Sequence, residues 1–587
     1  MKELKYLLKF YKKYKWRFLI GVIFVVVSNV FALYPAVFTR KAFDTAKEAI
    51  ELAQNNGNVD FESLTSTLLY FGLMLILFAL LKGVFMFFMR QTIIVMSRLI
   101  EYDIKNEIYD HYQKLDRAFY KRNRTGDMMA RISEDVSKVR MFLGPATMYP
   151  INMISLFALV MYNMFSINVK LSLYVLAPLP IMSISIFFIS KIIHSKSERV
   201  QKQLSLLSTI SQESFSGIRI LKSFVIEKMN FTQFNSETNE YLKRNVSLAK
   251  TNAAFFPFML LLIGLSTLLT IYIGGKEAIA GNITTGNIAE FIIYVNMLTW
   301  PMASIGWVTS IIQRAAASQK RINEFLKTKV EIHNDEFEEV EILGDISFEN
   351  VSFKYPDSNV NALSNISFTI KNGASIAIVG RTGSGKSTII QLLTGMYKSI
   401  EGVINIDDKP IESYNVRNLR SAISLVPQEA LLFSDTISNN ISFGTDKNTS
   451  QKEIENVAKK AAIHDNIMGF PKQYNTKIGE RGVTLSGGQK QRISIARAFI
   501  KPSSILIFDD CLSAVDNETE ETILKEIKKK NKEKTSIIIS HRLSSIQHVD
   551  EIIVLENGKI IEKGTHEELM NNKKVYLDMY EQQLTAQ

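Results

Sequence analysis

Residues 380–388 carry the clearest chemical pattern in this sequence of 587 residues. They read Gly-Arg-Thr-Gly-Ser-Gly-Lys-Ser-Thr and lie between the apolar runs 375–379 and 389–393. A strand, a glycine-rich loop and a helix form a phosphate-binding loop, because glycines let backbone N–H groups surround phosphate oxygens. The lysine adds a positive charge, and the hydroxyl residue after it ligates Mg²⁺. The predicted phosphate-binding residues are Gly380, Arg381, Thr382, Gly383, Ser384, Gly385, Lys386, Ser387 and Thr388.

Three polar residues follow further predicted strands of the same region. The apolar run 504–508 leads to Asp509, the position of a carboxylate that belongs to the Mg²⁺ shell. Gln428 follows the run 423–427, and its amide can reach Mg²⁺ or an attacking water. His541 follows another apolar run, from where an imidazole can hold the nucleophilic water beside a γ-phosphate. These residues predict binding and hydrolysis of a nucleoside triphosphate.

Two more segments point to the same nucleotide. Tyr355 ends the alternating segment 346–355, so it either stacks on adenine or is an ordinary edge-strand tyrosine. Residues 485–489 read Leu-Ser-Gly-Gly-Gln and precede a predicted helix, and a helix N-terminus favours anions. The domain already has one phosphate-binding loop, so this second site makes sense if it faces the nucleotide of another copy. The residues of this signature segment are Leu485, Ser486, Gly487, Gly488 and Gln489.

The composition indicates a membrane protein. The sequence is 47% hydrophobic, and its long apolar runs are concentrated in the first half. Its net charge of +11 comes from scattered lysines, which fits basic cytoplasmic loops better than nucleic-acid binding, and we expect no nucleic-acid partner. Cys511 is the single cysteine, which excludes an internal disulfide and a cysteine-rich metal site.

Six apolar runs are long enough to cross a bilayer, which takes about 20 residues. Lysine and arginine are concentrated before the first run and in the long segments 90–140 and 191–250. The positive-inside rule therefore places both termini and both long segments in the cytoplasm of a cell inner or plasma membrane protein. Helical spacing in the long segments predicts that the helices continue past the bilayer. The predicted spans are 18–38, 68–89, 146–165, 171–189, 253–273 and 288–312.

Polar residues inside these spans have more than one interpretation. Lys82 lies in the second span, where a lysine marks a functional site, extends to the interface or faces a wet cavity. Ser28 and Asn29 lie in the first span, and small polar residues there more often bind neighbouring helices than a substrate. Substrate contacts cannot be placed from the sequence.

The order of these motifs resembles the nucleotide-binding domain of ATP-binding cassette (ABC) transporters. Six spans fused ahead of it look like an exporter half-transporter of the multidrug or lipid type, and the resemblance covers nearly the whole chain. The implied fold is an α-helical membrane domain (1–325), a linker (326–344) and an α/β P-loop ABC domain (345–587). Residues 115–136 and 213–220 are similar to the two intracellular loops of the family, and 476–482 resembles the loop that couples its halves.

The resemblance implies a mechanism. Two nucleotide-binding domains hold two ATP molecules with Mg²⁺, each between the P-loop of one domain and the signature segment of the other. ATP favours the closed pair, which turns the membrane helices from inward-facing to outward-facing and exports a hydrophobic or amphipathic drug or lipid. Hydrolysis resets the pair. The turn that resembles the family's D-loop consists of Ser513, Ala514, Val515 and Asp516.

One position departs from the family pattern. The family usually has glutamate after the Asp509 position, as the base that polarises water, whereas this chain has Asp510. Aspartate is one methylene shorter, and a misplacement of about 1 Å can cost roughly 100-fold in rate. This resembles the degenerate site of heterodimeric exporters, so we expect a heterodimer with a second half-transporter. The alternative is a homodimer in which Asp510 is a competent base.

Other classes share part of the pattern. An importer usually keeps membrane and nucleotide domains on separate chains, unlike the fusion here. A nucleotide-gated channel would share every motif and differ only in moving substrate down its gradient. A peptide exporter that processes its substrate would carry a catalytic cysteine domain ahead of the first span, and the only cysteine here is Cys511. Peptide export without processing stays open. The substrate itself and the partner are not named by the sequence.

Overall fold

The computed structural model describes residues 2–55, 60–330, 340–356, 361–445, 449–479, 485–513, 515–530 and 534–585. Its contacts divide the chain into two compact units. The first unit is Met1–Gln113 with Thr125–Thr328, and the second is Lys114–Arg124 with Lys329–Gln587. The predicted residue Ala514 and positions 480–482 of the predicted coupling loop lie outside the described residues.

The part of the chain up to residue 326 is helical where it is described. A 3₁₀ segment, Lys2–Leu7, precedes the first α-helix, and a π-helical turn covers Arg131–Asp135. The α-helices are α1 (Leu8–Lys13), α2 (Lys15–Gln54), α3 (Phe61–Lys114), α4 (Arg117–Arg122), α5 (Thr125–Ala130), α6 (Val136–Leu143), α7 (Pro145–Ile167), α8 (Val169–Leu176), α9 (Pro178–Ser216), α10 (Ile218–Ser223), α11 (Glu227–Ile279) and α12 (Thr285–Leu326).

Six helical stretches among the described residues are long and apolar enough to cross a membrane, which confirms the six predicted spans. They are longer than a span requires: α3 has 54 residues, or roughly 80 Å at 1.5 Å per residue. A hydrocarbon core is about 30 Å thick, so these helices continue well beyond it. The predicted extensions past the bilayer are therefore helical, as the spacing of their apolar residues indicated.

The polar residues of the first span bind neighbouring helices, as predicted. Ser28 donates from Oγ to the carbonyl of Lys82 on α3 at 3.3 Å. Asn29 donates from Nδ2 to the carbonyl of Asn152 on α7 at 3.2 Å. Both side chains are buried. The side chain of Lys82 itself is exposed on α3, so the structure of one chain leaves its role a prediction.

The second unit contains two sheets. An antiparallel sheet has the strand order β2-β1-β4-β5, and a six-stranded sheet has the order β10-β9-β3-β8-β7-β6. The strands are β1 (Ile346–Lys354), β2 (Asn361–Ile370), β3 (Ser375–Gly380), β4 (Glu401–Ile406), β5 (Lys409–Pro410), β6 (Ile423–Val426), β7 (Ile505–Asp509), β8 (Thr535–Ile539), β9 (Glu551–Glu556) and β10 (Lys559–Gly564). The helices of this part are α13 (Lys386–Leu393), α14 (Val416–Ser421), α15 (Ile437–Ser442), α16 (Gln451–Lys460), α17 (His464–Met468), α18 (Gly487–Ile500), α19 (Asn517–Lys530), α20 (His566–Asn572) and α21 (Val575–Thr585).

The six-stranded sheet is buried on both faces. Side chains of a strand alternate between faces, and β3 places Ala377 and Val379 in one hydrophobic cluster and Ile376 and Ile378 in the other. Parallel sheets covered on both faces read as continuous apolar runs, which is why the sequence predicted these strands correctly. The pairings β3–β8, β3–β9, β8–β7 and β7–β6 are parallel, and β10 is antiparallel.

The short helix α4 belongs to the second unit, although it lies between membrane helices in the sequence. Asp116 caps it by accepting a hydrogen bond from the backbone N–H of Phe119 at 2.9 Å. Ala118 is 4% exposed and lies in the same hydrophobic cluster as β1 and β3. Burial of this face explains why Lys114–Arg124 packs with the second unit.

Candidate functional site

The strand order brings the predicted chemistry to one edge of the six-stranded sheet. Neighbours β3, β8, β7 and β6 are parallel, so their carboxyl ends lie side by side, where open α/β sheets bind ligands. The phosphate-binding loop follows β3, His541 follows β8, Asp509 ends β7 and Gln428 follows β6. Residues separated by more than 100 positions therefore share one site.

All three glycines of the phosphate-binding loop, Gly380, Gly383 and Gly385, have positive φ, which other residues rarely adopt. Gly385 has φ +103°, and a Cβ on it would lie 2.6 Å from the carbonyl oxygen of Ala362. Gly380 has φ +149°, and a Cβ there would collide with the carbonyl oxygen of Leu555. Both positions need glycine for conformation and for space. Helix α13 begins directly after Gly385, so its N-terminus faces the loop.

Lys386 is held inside the loop. Its Nζ donates to the carbonyl of Gly380 at 2.8 Å and to that of Arg381 at 2.9 Å, and the residue is only 6% exposed. Burial lowers the pKa of Lys386, and the nearby carboxylates Asp510 and Asp509 partly oppose that shift. The ammonium group therefore lies in a poorly solvated site, where its attraction to the phosphates of a nucleotide would be strong.

Ser387 and Asp509 form an oxygen pair suited to Mg²⁺. Ser387 Oγ donates to Asp509 Oδ1 at 3.1 Å. Burial raises the pKa of the Asp509 carboxyl, while the hydrogen bond from Ser387 and the charge of Lys386 act in the opposite direction. Hydroxyl and carboxylate oxygens are the hard ligands that Mg²⁺ prefers when nucleotide phosphates complete its shell, so these residues fit that ion.

The Asp510 carboxylate contacts the two remaining predicted catalytic residues, Gln428 and His541. Gln428 Nε2 donates to its Oδ2 at 3.1 Å, and the backbone N–H of His541 donates to its Oδ1 at 3.4 Å. His541 Nε2 lies 4.0 Å from Asp510 Oδ2. Asp510 has φ +46°, a left-handed conformation that aspartate tolerates better than most residues. The other two predicted catalytic residues, Gln428 and His541, thus both lie at the Asp510 carboxylate.

Tyr355 lies beside the phosphate-binding loop. Its hydroxyl is 3.1 Å from Thr388 Oγ1 and donates to Gln391 Oε1 at 3.1 Å. Its ring meets Tyr397 edge to face at 5.4 Å, and Lys121 Nζ of α4 lies over the ring at 4.9 Å. These contacts fix the orientation of the ring, and whether it stacks on adenine stays a prediction.

A cavity of about 350 Å³ joins these residues. It contains most of the predicted nucleotide and catalytic residues, and Asn361, Ala362 and Ile539 complete it. Of the described residues, neither the signature segment nor Ser513, Val515 and Asp516 line it. Its lining from the predicted set is Tyr355, Thr382, Gly383, Gly385, Lys386, Ser387, Thr388, Gln428, Asp509, Asp510 and His541.

The signature segment forms the start of α18. Ser486 Oγ accepts from the backbone N–H of Gln489 at 3.3 Å, and Gln489 Oε1 accepts from the backbone N–H of Ser486 at 3.0 Å. This reciprocal pair is a capping box, which the Ser-x-x-Gln spacing encodes. Gly487 faces open space, since a Cβ added there would meet nothing within 4 Å. The helix end is therefore accessible to a ligand from outside the domain.

Sequence reasoning missed several residues around the site. Lys121 and Gln391 contact Tyr355, and Gln583 of α21 contacts the backbone on both sides of Arg542. None belongs to a recognisable motif. The one available signal was the similarity of residues 115–136 to an intracellular loop, which placed Lys121 in a segment expected to contact the soluble half.

The membrane unit contains a buried ion pair that the sequence analysis did not predict. Arg40 Nη1 of α2 lies 3.2 Å from Glu290 Oε2 of α12, and the Glu290 side chain is 1% exposed. Tyr294 donates to Glu290 Oε1 at 2.8 Å. Glu290 lies inside the predicted sixth span, and a carboxylate there was the available signal.

The fold and site define an ATP-binding cassette domain fused behind six membrane helices. Residues 363–513 match the family "ABC transporter", and residues 18–302 match the family "ABC transporter transmembrane region". The chain is therefore an ATP-binding, ATPase-coupled membrane exporter with its nucleotide-binding domain on the cytoplasmic side.

Known proteins of similar length support this class. The chain is 35% identical to the Bacillus subtilis "Probable multidrug resistance ABC transporter ATP-binding/permease protein YheI" over 98% of this chain and 96% of that protein. It is 32% identical to the "ATP-dependent lipid A-core flippase" of Pseudoalteromonas translucida, covering 86% and 87%. A solved structure titled "Structure of a bacterial Atm1-family ABC exporter with ATP bound" has TM-score 0.78 at 26% identity, covering 97% and 98%. The chain belongs to the ABC transporter family.

Proposed function

We propose that this chain is one half of a dimeric exporter that uses ATP to move a hydrophobic or amphipathic drug or lipid across the membrane by alternating access. The observation that carries the proposal is the convergence of Gln428, Asp510 and His541 on one cavity behind the phosphate-binding loop. One relative is named a probable multidrug resistance transporter and another a lipid A-core flippase, and both names support the substrate class.

We infer a task for each side chain from its place in the cavity. Tyr355 stacks on adenine, Lys386 and the loop N–H groups bind the phosphates, and Ser387, Asp509 and Gln428 hold Mg²⁺. Bound Mg²⁺ neutralises charge on the β- and γ-phosphates. Asp510 accepts the proton of the attacking water, and His541 holds that water beside the γ-phosphate. The hydrogen bonds from Ser387 to Asp509 and from Gln428 to Asp510, both 3.1 Å, support the assignment.

The signature segment supports the dimer. Gly487 and the N-terminus of α18 face open space and do not line the cavity of their own domain. A helix N-terminus that is exposed outside the cavity of its own domain suits the γ-phosphate held by another copy or by a related partner. On this proposal Ser486 and Gln489 complete the site of the facing subunit, and Ser513, Ala514, Val515 and Asp516 approach it.

Asp510 favours a heterodimer. Its short side chain makes the P-loop site of this chain slow, while the intact signature segment serves a partner that has a longer base. The second candidate is a homodimeric lipid or peptide exporter in which Asp510 is sufficient, and the intact His541 and the contact of Gln428 with Asp510 favour that candidate.

Transport is tested in inverted membrane vesicles that contain the chain, with and without its candidate partner. A fluorescent hydrophobic dye is offered with Mg²⁺ and ATP, and Lys386→Ala is the matched inactive control. Accumulation of dye above its outside concentration is expected. Equilibration without accumulation would instead indicate a nucleotide-gated channel.

The dimer is tested by cross-linking a cysteine pair, Thr382→Cys in the P-loop and Ser486→Cys in the signature segment. Cys511 is 2% exposed, and burial raises the pKa of its thiol, so it does not compete. ATP-dependent cross-linking between two copies of this chain supports the homodimer. Cross-linking only to a different subunit supports the heterodimer, and its absence with every partner contradicts the shared site.

A further inference from the structure

The amide of Gln583 holds the backbone of the loop that carries His541. Gln583 Nε2 donates to the carbonyl oxygen of His541 at 2.6 Å, and the backbone N–H of Leu543 donates to Gln583 Oε1 at 2.9 Å. One side chain thus uses its donor and its acceptor on the two peptide groups that flank Arg542. No other residue type of this length offers both a donor and an acceptor in one planar group.

Gln583 belongs to a helix that is itself firmly anchored. Positions 576, 580 and 583 of α21 are four and three residues apart, so they lie on one helical face. Tyr576 is fully buried, and its hydroxyl is 2.8 Å from His566 Nδ1. Tyr580 accepts a hydrogen bond from Gln547 Nε2 at 2.9 Å. The position of the Gln583 amide is therefore determined by the packing of the C-terminal helix.

His541 has few other constraints of its own. Its side chain is 40% exposed, and its ring is 4.0 Å from the nearest oxygen of Asp510. Its backbone N–H donates to Asp510 Oδ1 at 3.4 Å, a long hydrogen bond. Its carbonyl is held by Gln583 at 2.6 Å. The shorter of these two backbone contacts comes from the C-terminal helix and not from the catalytic cluster.

We infer that Gln583 is a positioning residue for ATP hydrolysis: it fixes the backbone of His541, so α21 sets where the imidazole meets the attacking water. The inference rests on the proposed role of His541 in the hydrolytic site. Gln583 acts through His541, so its removal slows hydrolysis without weakening the contacts of Lys386 and Tyr355 that bind the nucleotide.

The experiment measures single-turnover hydrolysis of γ-labelled ATP by the full-length chain in lipid nanodiscs, with the enzyme in excess, so that a slow site is still measurable. The affinity for Mg²⁺-ATP is measured in parallel. The variants are Gln583→Ala, which loses both contacts, and Gln583→Glu, which can still accept from Leu543 but cannot donate to His541. Gln582→Ala is the matched control, because Gln582 is the same residue type on an exposed position of the same helix.

Gln583→Ala is expected to lower the hydrolysis rate by about three- to thirtyfold, the effect of one or two net hydrogen bonds on a barrier. Gln583→Glu is expected to be at least as slow as Gln583→Ala, because a carboxylate cannot donate to the His541 carbonyl oxygen and would face it as a second acceptor. Gln582→Ala is expected to be unchanged, and the ATP affinity of all three variants to stay within about twofold of the wild type. In the His541→Ala background, Gln583→Ala should have no further effect, because the two residues act as one unit.

Three results would overturn the inference. If Gln583→Ala hydrolyses ATP as fast as Gln582→Ala while His541→Ala is slow, the inference fails and the role of His541 stands. If Gln583→Ala slows hydrolysis equally with and without His541, it acts by another route. If His541→Ala has no effect, the proposed role of His541 fails and the positioning role fails with it.

Discussion

Replacing Asp510 by glutamate tests whether side-chain length limits hydrolysis. In the structure, the Asp510 carboxylate accepts from Gln428 Nε2 at 3.1 Å and from the backbone N–H of His541 at 3.4 Å. The residue is largely buried and lines the cavity. Glutamate adds one C–C bond, about 1.5 Å, and on the proposed mechanism this extra length is what the base needs to reach the attacking water.

The expected gain follows from geometry. A base that is about 1 Å too far from its target loses roughly 100-fold in rate, or about 2.7 kcal/mol of barrier. Asp510→Glu should therefore raise turnover by about one to two decades. Asp510 has φ +46°, where aspartate is favoured over glutamate, so the same change should cost about 1 kcal/mol of stability.

The assay is Mg²⁺-dependent ATPase activity of the purified chain alone, with Asp510→Asn as the control for any activity that needs no carboxylate. Asp510→Asn should be slower than the wild type. The reasoning is refuted if the wild type already turns over at about 10 s⁻¹, the median for enzymes, and Asp510→Glu changes this less than threefold. A homodimeric exporter with a sufficient aspartate would then be the working hypothesis.

Three further predictions come from the described contacts. Asp509→Asn should abolish Mg²⁺-dependent turnover, because it removes a proposed Mg²⁺ ligand. The same variant should raise the melting temperature measured without Mg²⁺. Burial raises the pKa of Asp509, so its ionised form destabilises the fold once pH rises through that raised value. Gly385→Ala should lower ATP affinity at least tenfold, because its Cβ would lie 2.6 Å from the Ala362 carbonyl oxygen at φ +103°. Arg40→Met should destabilise the membrane domain by roughly 3 kcal/mol, since it leaves the buried Glu290 carboxylate without its cation.

Each of these has a matched control. Asp516→Asn should lower the melting temperature, because hydrogen bonds from Thr519 lower the pKa of Asp516 and so favour its charged form. Equal changes in melting temperature for Asp509→Asn and Asp516→Asn would contradict the argument. Gly383→Ala should be milder than Gly385→Ala, because a Cβ there meets no atom within 4 Å. Glu290→Gln should be milder than Arg40→Met, since an amide oxygen can still accept from Tyr294, and thermal denaturation in detergent measures the difference.

Much of the fold could be predicted because its signals are local. The strands β3, β6, β7 and β8 are continuous apolar runs, since both faces of the sheet are covered, and their ends differ from the prediction by at most one residue. The six spans are likewise long apolar runs. The phosphate-binding loop and the capping box at Ser486 are contiguous patterns whose geometry the chain imposes on itself.

Which residues share the site depends on the order of the strands in the sheet. Apolar runs predict that β6, β7 and β8 exist, but periodicity does not state which strand lies beside which. Adjacent positions in the sheet bring Gln428, Asp510 and His541 together. The resemblance to a known family supplied that arrangement in advance, and residue spacing alone would not have done so.

The sequence by itself determined the class of this protein: six spans, an ATP site after β3, a signature helix, and a short acid at position 510. Only the tertiary structure decided which ordinary polar residues support that site, such as Lys121 over Tyr355, Gln583 on His541, and Arg40 beside Glu290. The physical reason is the range of the forces. Helix, strand and loop patterns are selected by neighbours along the chain, whereas a hydrogen bond between distant residues exists only once packing has brought donor and acceptor within about 3 Å.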